Sequence, residues 1–290
     1  MKIVMEHVGK EMDGQKILDD VTFTIQEPGI YAVLGPNGAG KTTIMHILSG
    51  LSTCTSGNVM IDGENPFENR VILDKISFIQ ESENFKPTLK VSQIIHYVQA
   101  FYPNWNHELV TKLITLFKLP MNKRLNQLSK GMVSALNMSI GLASRAPLTI
   151  FDEPYIGMDA TARKKLYAEI IEDYVDHPRV ILFSTHFIEE TQNIFEHALI
   201  VQNGTIKLFT SIDELTSRAM KISGPIDVIQ SLGIPEQKIL SYQEFMSEAS
   251  VTTFLENGED LHVPPTCQAI PLPLQEFFID FTSEKESVVS

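Results

Sequence analysis

Gly35-Pro36-Asn37-Gly38-Ala39-Gly40-Lys41-Thr42 follows the apolar run Ile30–Leu34 and precedes Thr43-Ile44-Met45-His46-Ile47-Leu48. The stretch fits the pattern of a phosphate-binding loop, Gly, four residues, then Gly-Lys-Ser/Thr, set between a strand and a helix. Glycines let successive backbone N–H groups turn inward on phosphate oxygens, and a helix N-terminus adds a favourable dipole. In such a loop Lys41 is suited to bridge the β- and γ-phosphates, and the Thr42 hydroxyl to ligate Mg²⁺. Ile44, Ile47, Leu48 and Leu51, three or four residues apart, are expected to hold the helix on a core. The loop alone leaves kinases, GTPases, helicases and transport ATPases open.

Outward from the loop, residues 2–34 carry β-type runs at Ile3–Met5 and in the alternating Val21-Thr22-Phe23-Thr24-Ile25, with a Gln26-Glu27-Pro28-Gly29 turn before the strand that feeds the loop. Beyond the first helix, Val59-Met60-Ile61, the Asp62-Gly63 turn and Ile76-Ser77-Phe78-Ile79 continue the sheet. From Val91 the period changes. Val91, Ile94, Ile95 and Val98, then Leu109, Val110, Leu113, Ile114 and Phe117, recur at helical spacing, with Asn106 as an expected N-cap. A third helix is expected from about Lys130 to Ser144, so residues of about 85–146 read as a helical insert bracketed by sheet. Leu148-Thr149-Ile150-Phe151 and Val180-Ile181-Leu182-Phe183 read as buried parallel strands with a helix from Asp159 to Val175 between them. A helix from Phe187 and a hairpin through Asn203-Gly204 follow. After residue 211 the motifs stop, while apolar segments at Val228-Ile229, Val251–Leu255 and Leu272–Phe281 predict a small α+β unit, with disorder over residues 283–290.

The chain of 290 residues, 43% of them hydrophobic, is long enough for one large domain and a smaller one. A formal charge of −13 offers no whole-chain basic field, so no nucleic-acid partner is expected. Cys54 and Cys267 have no metal or redox spacing, which fits a reducing compartment. No apolar stretch approaches bilayer-spanning length, so any membrane role is expected to come through a partner.

The apolar run Leu148–Phe151 ends in Asp152-Glu153. Two acids at a strand end serve as a helix cap or a solvated turn as readily as a catalytic pair. After a phosphate loop, however, the first acid falls beside the metal and the second where it can polarise an attacking water. Leu128-Ser129-Lys130-Gly131-Met132, about twenty residues earlier, resembles the Leu-Ser-Gly-Gly-Gln signature of the ATP-binding cassette family. Gln80 resembles that family's Q-loop glutamine, Gly157-Met158-Asp159 its D-loop, and His186 in Phe183-Ser184-Thr185-His186 its switch histidine. The order and spacing of these elements, over roughly residues 1–210, carry the resemblance.

The resemblance implies an α/β P-loop nucleotide-binding domain over residues 1–211, with a RecA-like core, a β-subdomain and an inserted helical subdomain, and a C-terminal extension over 212–290 for dimerisation or regulation. It implies ATP and Mg²⁺ as cofactors. Gly35, Pro36, Asn37, Gly38, Ala39, Gly40, Lys41, Thr42 and Thr43 would hold the phosphates, and Thr42, Gln80 and Asp152 the metal. Glu153, His186, Gln80 and Lys41 would serve catalysis. Ser129, Gly131 and Asp159 would act across an interface with a second nucleotide-binding domain, so a complete site needs two chains. An integral membrane transporter subunit is the other implied partner, at the cytoplasmic membrane face.

Three positions depart from the family pattern. Lys130 and Met132 replace a glycine and the glutamine of the signature, and Lys130 either adds a phosphate contact or impairs the site. No aromatic stands in Gly9–Gly14 to stack on adenine, where Met12 offers a polarizable sulfur instead. Met158 replaces a leucine, a volume-conserving change. Phe101, Tyr102 and Trp105 read equally as subdomain core and as a contact with a membrane subunit. Residues Ala100–Asn106 and the signature resemble bacterial drug, bacteriocin and peptide exporters, and in general appearance the ATP-binding subunits of phenol-soluble modulin exporters. The expected function is therefore an ATPase driving export of a peptide or hydrophobic drug. The alternative is a soluble cassette ATPase of translation or DNA maintenance, against which stand the single cassette and an insert of about 110 residues between loop and acids.

Overall fold

The computed structural model describes residues 1–81, 84–255 and 261–283, so the disorder expected over 283–290 falls, apart from Ser283, outside the described residues. The chain divides into two units, Met1–Phe209 and Thr210–Ser290.

In chain order the first unit runs β1 (Ile3–Met12), β2 (Gln15–Ile25), β3 (Gly29–Leu34), α1 (Lys41–Leu48), β4 (Ser56–Ile61), α2 (Arg70–Leu73) and β5 (Ile76–Gln80). It continues with α3 (Val91–Val98), α4 (His107–Leu116), α5 (Lys130–Ser144), β6 (Leu148–Asp152), α6 (Ala160–Asp176), β7 (Val180–Ser184), α7 (Ile188–Thr191), β8 (His197–Gln202) and β9 (Thr205–Ser211). A three-stranded antiparallel sheet has the order β2-β1-β4, and a six-stranded sheet the order β5-β6-β7-β3-β8-β9. Every residue of β3, β6 and β7 is buried, which is why these strands read as unbroken apolar runs rather than alternating ones. The amphipathic β1 and β2 bury Ile3, Met5, Val8, Val21, Phe23 and Ile25 on a core shared with Ile44, Ile47 and Leu48 of α1.

The order of strands decides the site. β7 pairs in parallel with both β3 and β6, so the strand carrying Asp152 is separated from the strand feeding the phosphate loop by β7 alone. In register, Gln80 lies opposite Asp152, Asp152 opposite Ser184, and Ser184 opposite Val33. The chemistry-bearing residues thus gather at the carboxyl ends of parallel strands, where open α/β sheets bind ligands.

The helices α3, α4 and α5 fall between β5 and β6. Asn106 caps α4 by accepting from the Glu108 and Leu109 N–H groups (2.9 and 3.0 Å). Two expectations need correction. Leu51 is 63% exposed, because α1 stops at Leu48 and Gly50 (φ 72°) turns the chain away from the core. The helix from Phe187 is only the four residues of α7, followed by a 3₁₀ turn over Gln192–Ile194. The Thr191 hydroxyl bonds back to the Phe187 carbonyl (2.8 Å), a bond that competes with helix continuation.

The second unit contains α8 (Ile212–Arg218), β10 (Ala219–Pro225), α9 (Ile226–Ser231), β11 (Ile239–Phe245), β12 (Glu248–Phe254), β13 (Gln268–Pro271) and α10 (Leu274–Thr282). Its strands form one sheet of order β11-β12-β10-β13 around a core of Ile222, Ile229, Ala249 and Val251.

Candidate functional site

The phosphate loop leaves β3 at Leu34 and enters α1 at Lys41. Gly38 (φ 78°) and Gly40 (φ 107°) occupy the left-handed region that glycine adopts without steric cost. Gly35 is required for a different reason: a Cβ there would stand 2.3 Å from the Val201 carbonyl oxygen. The loop borders an open cavity of about 500 Å³ lined by Asn37, Gly38, Ala39, Gly40, Lys41, Thr42 and Thr43, with Ile17, Glu81, Asp152 and Glu153 around them.

Lys41 is 8% exposed, and its ammonium donates to the loop's own Gly35 and Pro36 carbonyls (2.7 and 3.1 Å). Burial pushes its pKa down, and the carboxylates of Glu153 and Asp152 partly offset this. The Thr42 hydroxyl donates to Oδ2 of Asp152 (2.7 Å). The other oxygen, Oδ1, accepts from the Ser184 hydroxyl (2.5 Å), and Ser184 Oγ in turn accepts from the Glu153 N–H (3.0 Å). One fully buried hydroxyl therefore holds both the Asp152 carboxylate and the Glu153 backbone. Glu153 itself holds a positive φ of 46°, a conformation costing on the order of 1–2 kcal/mol for a residue with a Cβ. Its Oε2 faces His186 Nδ1 at 2.7 Å. Tyr155 is buried against Phe183 and donates its hydroxyl to the Ser184 carbonyl (3.2 Å), anchoring the segment after the acids.

Nine of the residues singled out from sequence meet at the cavity: Asn37 through Thr43, Asp152 and Glu153. His186 joins through Glu153, and Gln80 stands beside Asp152 by strand register. Ser129, Gly131 and Asp159 are elsewhere, at the starts of α5 and α6. Ser129 caps α5, accepting from the Met132 N–H (3.2 Å), and Asp159 caps α6, accepting from the Ala162 N–H (2.8 Å). A Cβ on Gly131 would come within 2.4 Å of the Gly157 carbonyl oxygen, so backbone meets backbone where these segments touch. Met12, in the β1–β2 hairpin, is 52% exposed and does not line the cavity.

Sequence reasoning missed Ser184 and Ile17. A serine two residues before a histidine carries no signal until β7 is known to lie between β3 and β6. Ile17 is an aliphatic residue in a strand, and only the approach of β2 to Gly40 gives it a wall of the cavity.

Comparison with known proteins agrees with this geometry. The profile of the ABC transporter family matches residues 18–156. The ABC transporter ATP-binding protein YtrB of Bacillus subtilis is 25% identical over 286 residues, 96% of this chain and 97% of its own length. A probable sulfate/thiosulfate import ATP-binding protein of Chlorella vulgaris is 26% identical over 221 residues (74% of this chain, 94% of the relative). The Nod factor export ATP-binding protein I of Burkholderia thailandensis is 27% identical over 208 residues (70% and 68%). Among solved structures, the dimeric post-hydrolysis state of the ATP-binding cassette MJ0796 bound to ADP and phosphate superposes with a TM-score of 0.63 at 21% identity, covering 72% of this chain and 98% of that one. These relatives are ATP-binding proteins of transporters, which disfavours a soluble cassette of translation or DNA maintenance. Among the described residues no helix is long and apolar enough to cross a membrane. Profile, relatives, fold and site thus agree in giving the first unit the features of an ABC ATP-binding cassette, an ATPase domain similar to the ATP-binding subunits of transporters.

Proposed function

We propose that this chain is the ATP-hydrolysing subunit of a bacterial export transporter, bound peripherally at the cytoplasmic membrane face. It couples ATP turnover between two cassettes to export of a peptide or hydrophobic drug by a separate membrane subunit. The observation that carries the hydrolytic part is the unbroken chain of contacts from Thr42 through Asp152 and Ser184 to Glu153 and His186. It joins a phosphate loop to a base and to the histidine that orients it.

In this reading the loop N–H groups and Lys41 bind the phosphates of ATP, and Glu153 accepts a proton from the attacking water. His186 holds the Glu153 carboxylate in place. The Thr42 hydroxyl and Asp152 carboxylate, with Gln80 beside them, form a donor set of hard oxygens that suits Mg²⁺. Bound there, the ion would neutralise charge on the β- and γ-phosphates. Ser129, Gly131 and Asp159 lie off the cavity, which supports a role for them at a second chain's nucleotide.

The relatives include both an import and an export protein, so direction rests on the likeness of Ala100–Asn106 and Leu-Ser-Lys-Gly-Met to exporter subunits. Phe101 (71% exposed) and Tyr97 (50%) offer apolar surface near that segment for a membrane subunit, while Tyr102 and Trp105 are half-buried. The narrowest form of the reading is export of amphipathic peptides of the phenol-soluble modulin kind. Glu153→Gln is expected to keep ATP binding, lose turnover and accumulate an ATP-bound dimer. Undiminished hydrolysis in that variant removes Glu153 as the base, and copurification with ribosomes or DNA rather than a membrane protein overturns the transport reading.

A further inference from the structure

Arg163 in the first turn of α6 uses three faces of one guanidinium. Its Nη1 donates to the Met158 carbonyl (2.7 Å), while Nε and Nη2 donate to the two carboxylate oxygens of Glu190 (2.7 and 2.6 Å). Its plane lies over the Phe187 ring, 4.4 Å from the centroid. Met158 belongs to the turn after the paired acids, and Glu190 and Phe187 belong to the segment that begins at His186. The Phe187 ring in turn lies 4.1 Å from the His186 ring, and His186 meets Glu153 at 2.7 Å.

On its other side the same turn is packed against the start of α5. The Ser134 hydroxyl donates to the Ile156 carbonyl (2.7 Å), and the Gly131 backbone lies so close to Gly157 that a Cβ would not fit. A continuous path of contacts therefore runs from the start of α5, through residues 156–158, to Arg163, then to Glu190 and Phe187, and ends at His186 and Glu153. Arg163 is where the two halves of this path are joined.

The guanidinium also holds the Glu190 carboxyl below the usual carboxylate range. The Glu190 side chain is 38% exposed, so the ion pair by itself contributes little stability. The Arg163 side chain is only 12% exposed, and its planar fork fixes direction in a way that a lysine ammonium does not.

We propose that Arg163 is a positioning residue for hydrolysis, tying the Ile156–Met158 turn, and through it the start of α5, to the His186 side chain that faces Glu153. The proposal rests on the roles assigned above to Glu153 and His186, and it adds a residue that does not line the cavity.

The full chain tests it through Arg163→Lys and through the exchange Arg163→Glu with Glu190→Arg. Arg163→Lys is expected to lower kcat about tenfold with the KM for ATP within about twofold of wild type, since only the reacting geometry is disturbed. The exchange is expected to recover the thermal stability lost in Arg163→Glu, because the ion pair is rebuilt. It is not expected to recover turnover, because no side chain then reaches the Met158 carbonyl from position 163. The His186 imidazole NMR signal is expected to shift in Arg163→Lys, a readout that needs no turnover. Wild-type kcat in Arg163→Lys, a rise in KM at constant kcat, recovery of turnover in step with stability in the exchange, or an unmoved His186 signal overturns the proposal. Active Arg163→Lys beside inactive Glu153→Gln would remove Arg163 alone, whereas active Glu153→Gln would remove the reading on which it rests.

Discussion

Lys41 carries two tasks at this site, one toward the phosphates and one toward its own loop. Its ammonium is shared between the Gly35 and Pro36 carbonyls and so ties the start of α1 back to the start of the loop. Lys41→Ala removes the charge that would meet the phosphates and the internal tie of the loop. It is expected to weaken ATP binding at least about tenfold, or ~1.4 kcal/mol. Equal affinity of the two proteins in a titration of fluorescent ATP analogue would sink the loop assignment. Lys41, Asp152 and Glu153 were legible in the sequence because their types and spacing are dictated by phosphate chemistry. Ser184 was not, because its task arises from the neighbours it meets. A hydroxyl at the end of β7 holds the Asp152 carboxylate and the Glu153 backbone only once β6 lies alongside it.

At the scale of elements, α5 and α6 lie where the sequence placed helices, and the structure adds that Ser129 and Asp159 are their N-caps. What the pattern did not carry is the contact between their approaches. Replacing a helical glycine by alanine normally stabilises by about 1 kcal/mol. At Gly131 the added methyl would stand 2.4 Å from a backbone oxygen, which no rotamer change relieves. Overpacking of this kind costs about 1–3 kcal/mol, so Gly131→Ala is expected to be destabilising overall. Urea unfolding measures the sign, and a variant more stable than wild type would show that the 156–158 turn yields freely. The short α7 teaches the same lesson from the other side. The α-helix stops after the single turn Ile188–Thr191, and the chain passes through the 3₁₀ turn Gln192–Ile194 before it enters β8 at His197.

At the scale of the whole molecule, each unit encloses its own core, one spanning the β1, β2, β4 and β3–α1 layers and the other around Ile222 and Val251. Heat unfolding is accordingly expected to depart from a single two-state transition. ATP at about a hundred times its Kd is expected to stabilise the first unit by ~2.7 kcal/mol, since the nucleotide binds its folded form alone. Calorimetry with and without ATP measures this, and an equal upward shift of every transition, or of none, would contradict it. The sequence by itself determined the class of the fold and the greater part of the site. A phosphate loop, fully buried strands and a period switch to helix are local signals written within a few residues of one another. It also predicted that an α+β unit follows residue 211, without its strand order. The tertiary structure alone decided that β7 runs between β3 and β6, that Ser184 and Ile17 belong to the site, that Leu51 does not belong to the core, and that Arg163 joins two turns. These are long-range facts: they depend on which strands become neighbours, and no spacing along the chain encodes a distance across the sheet.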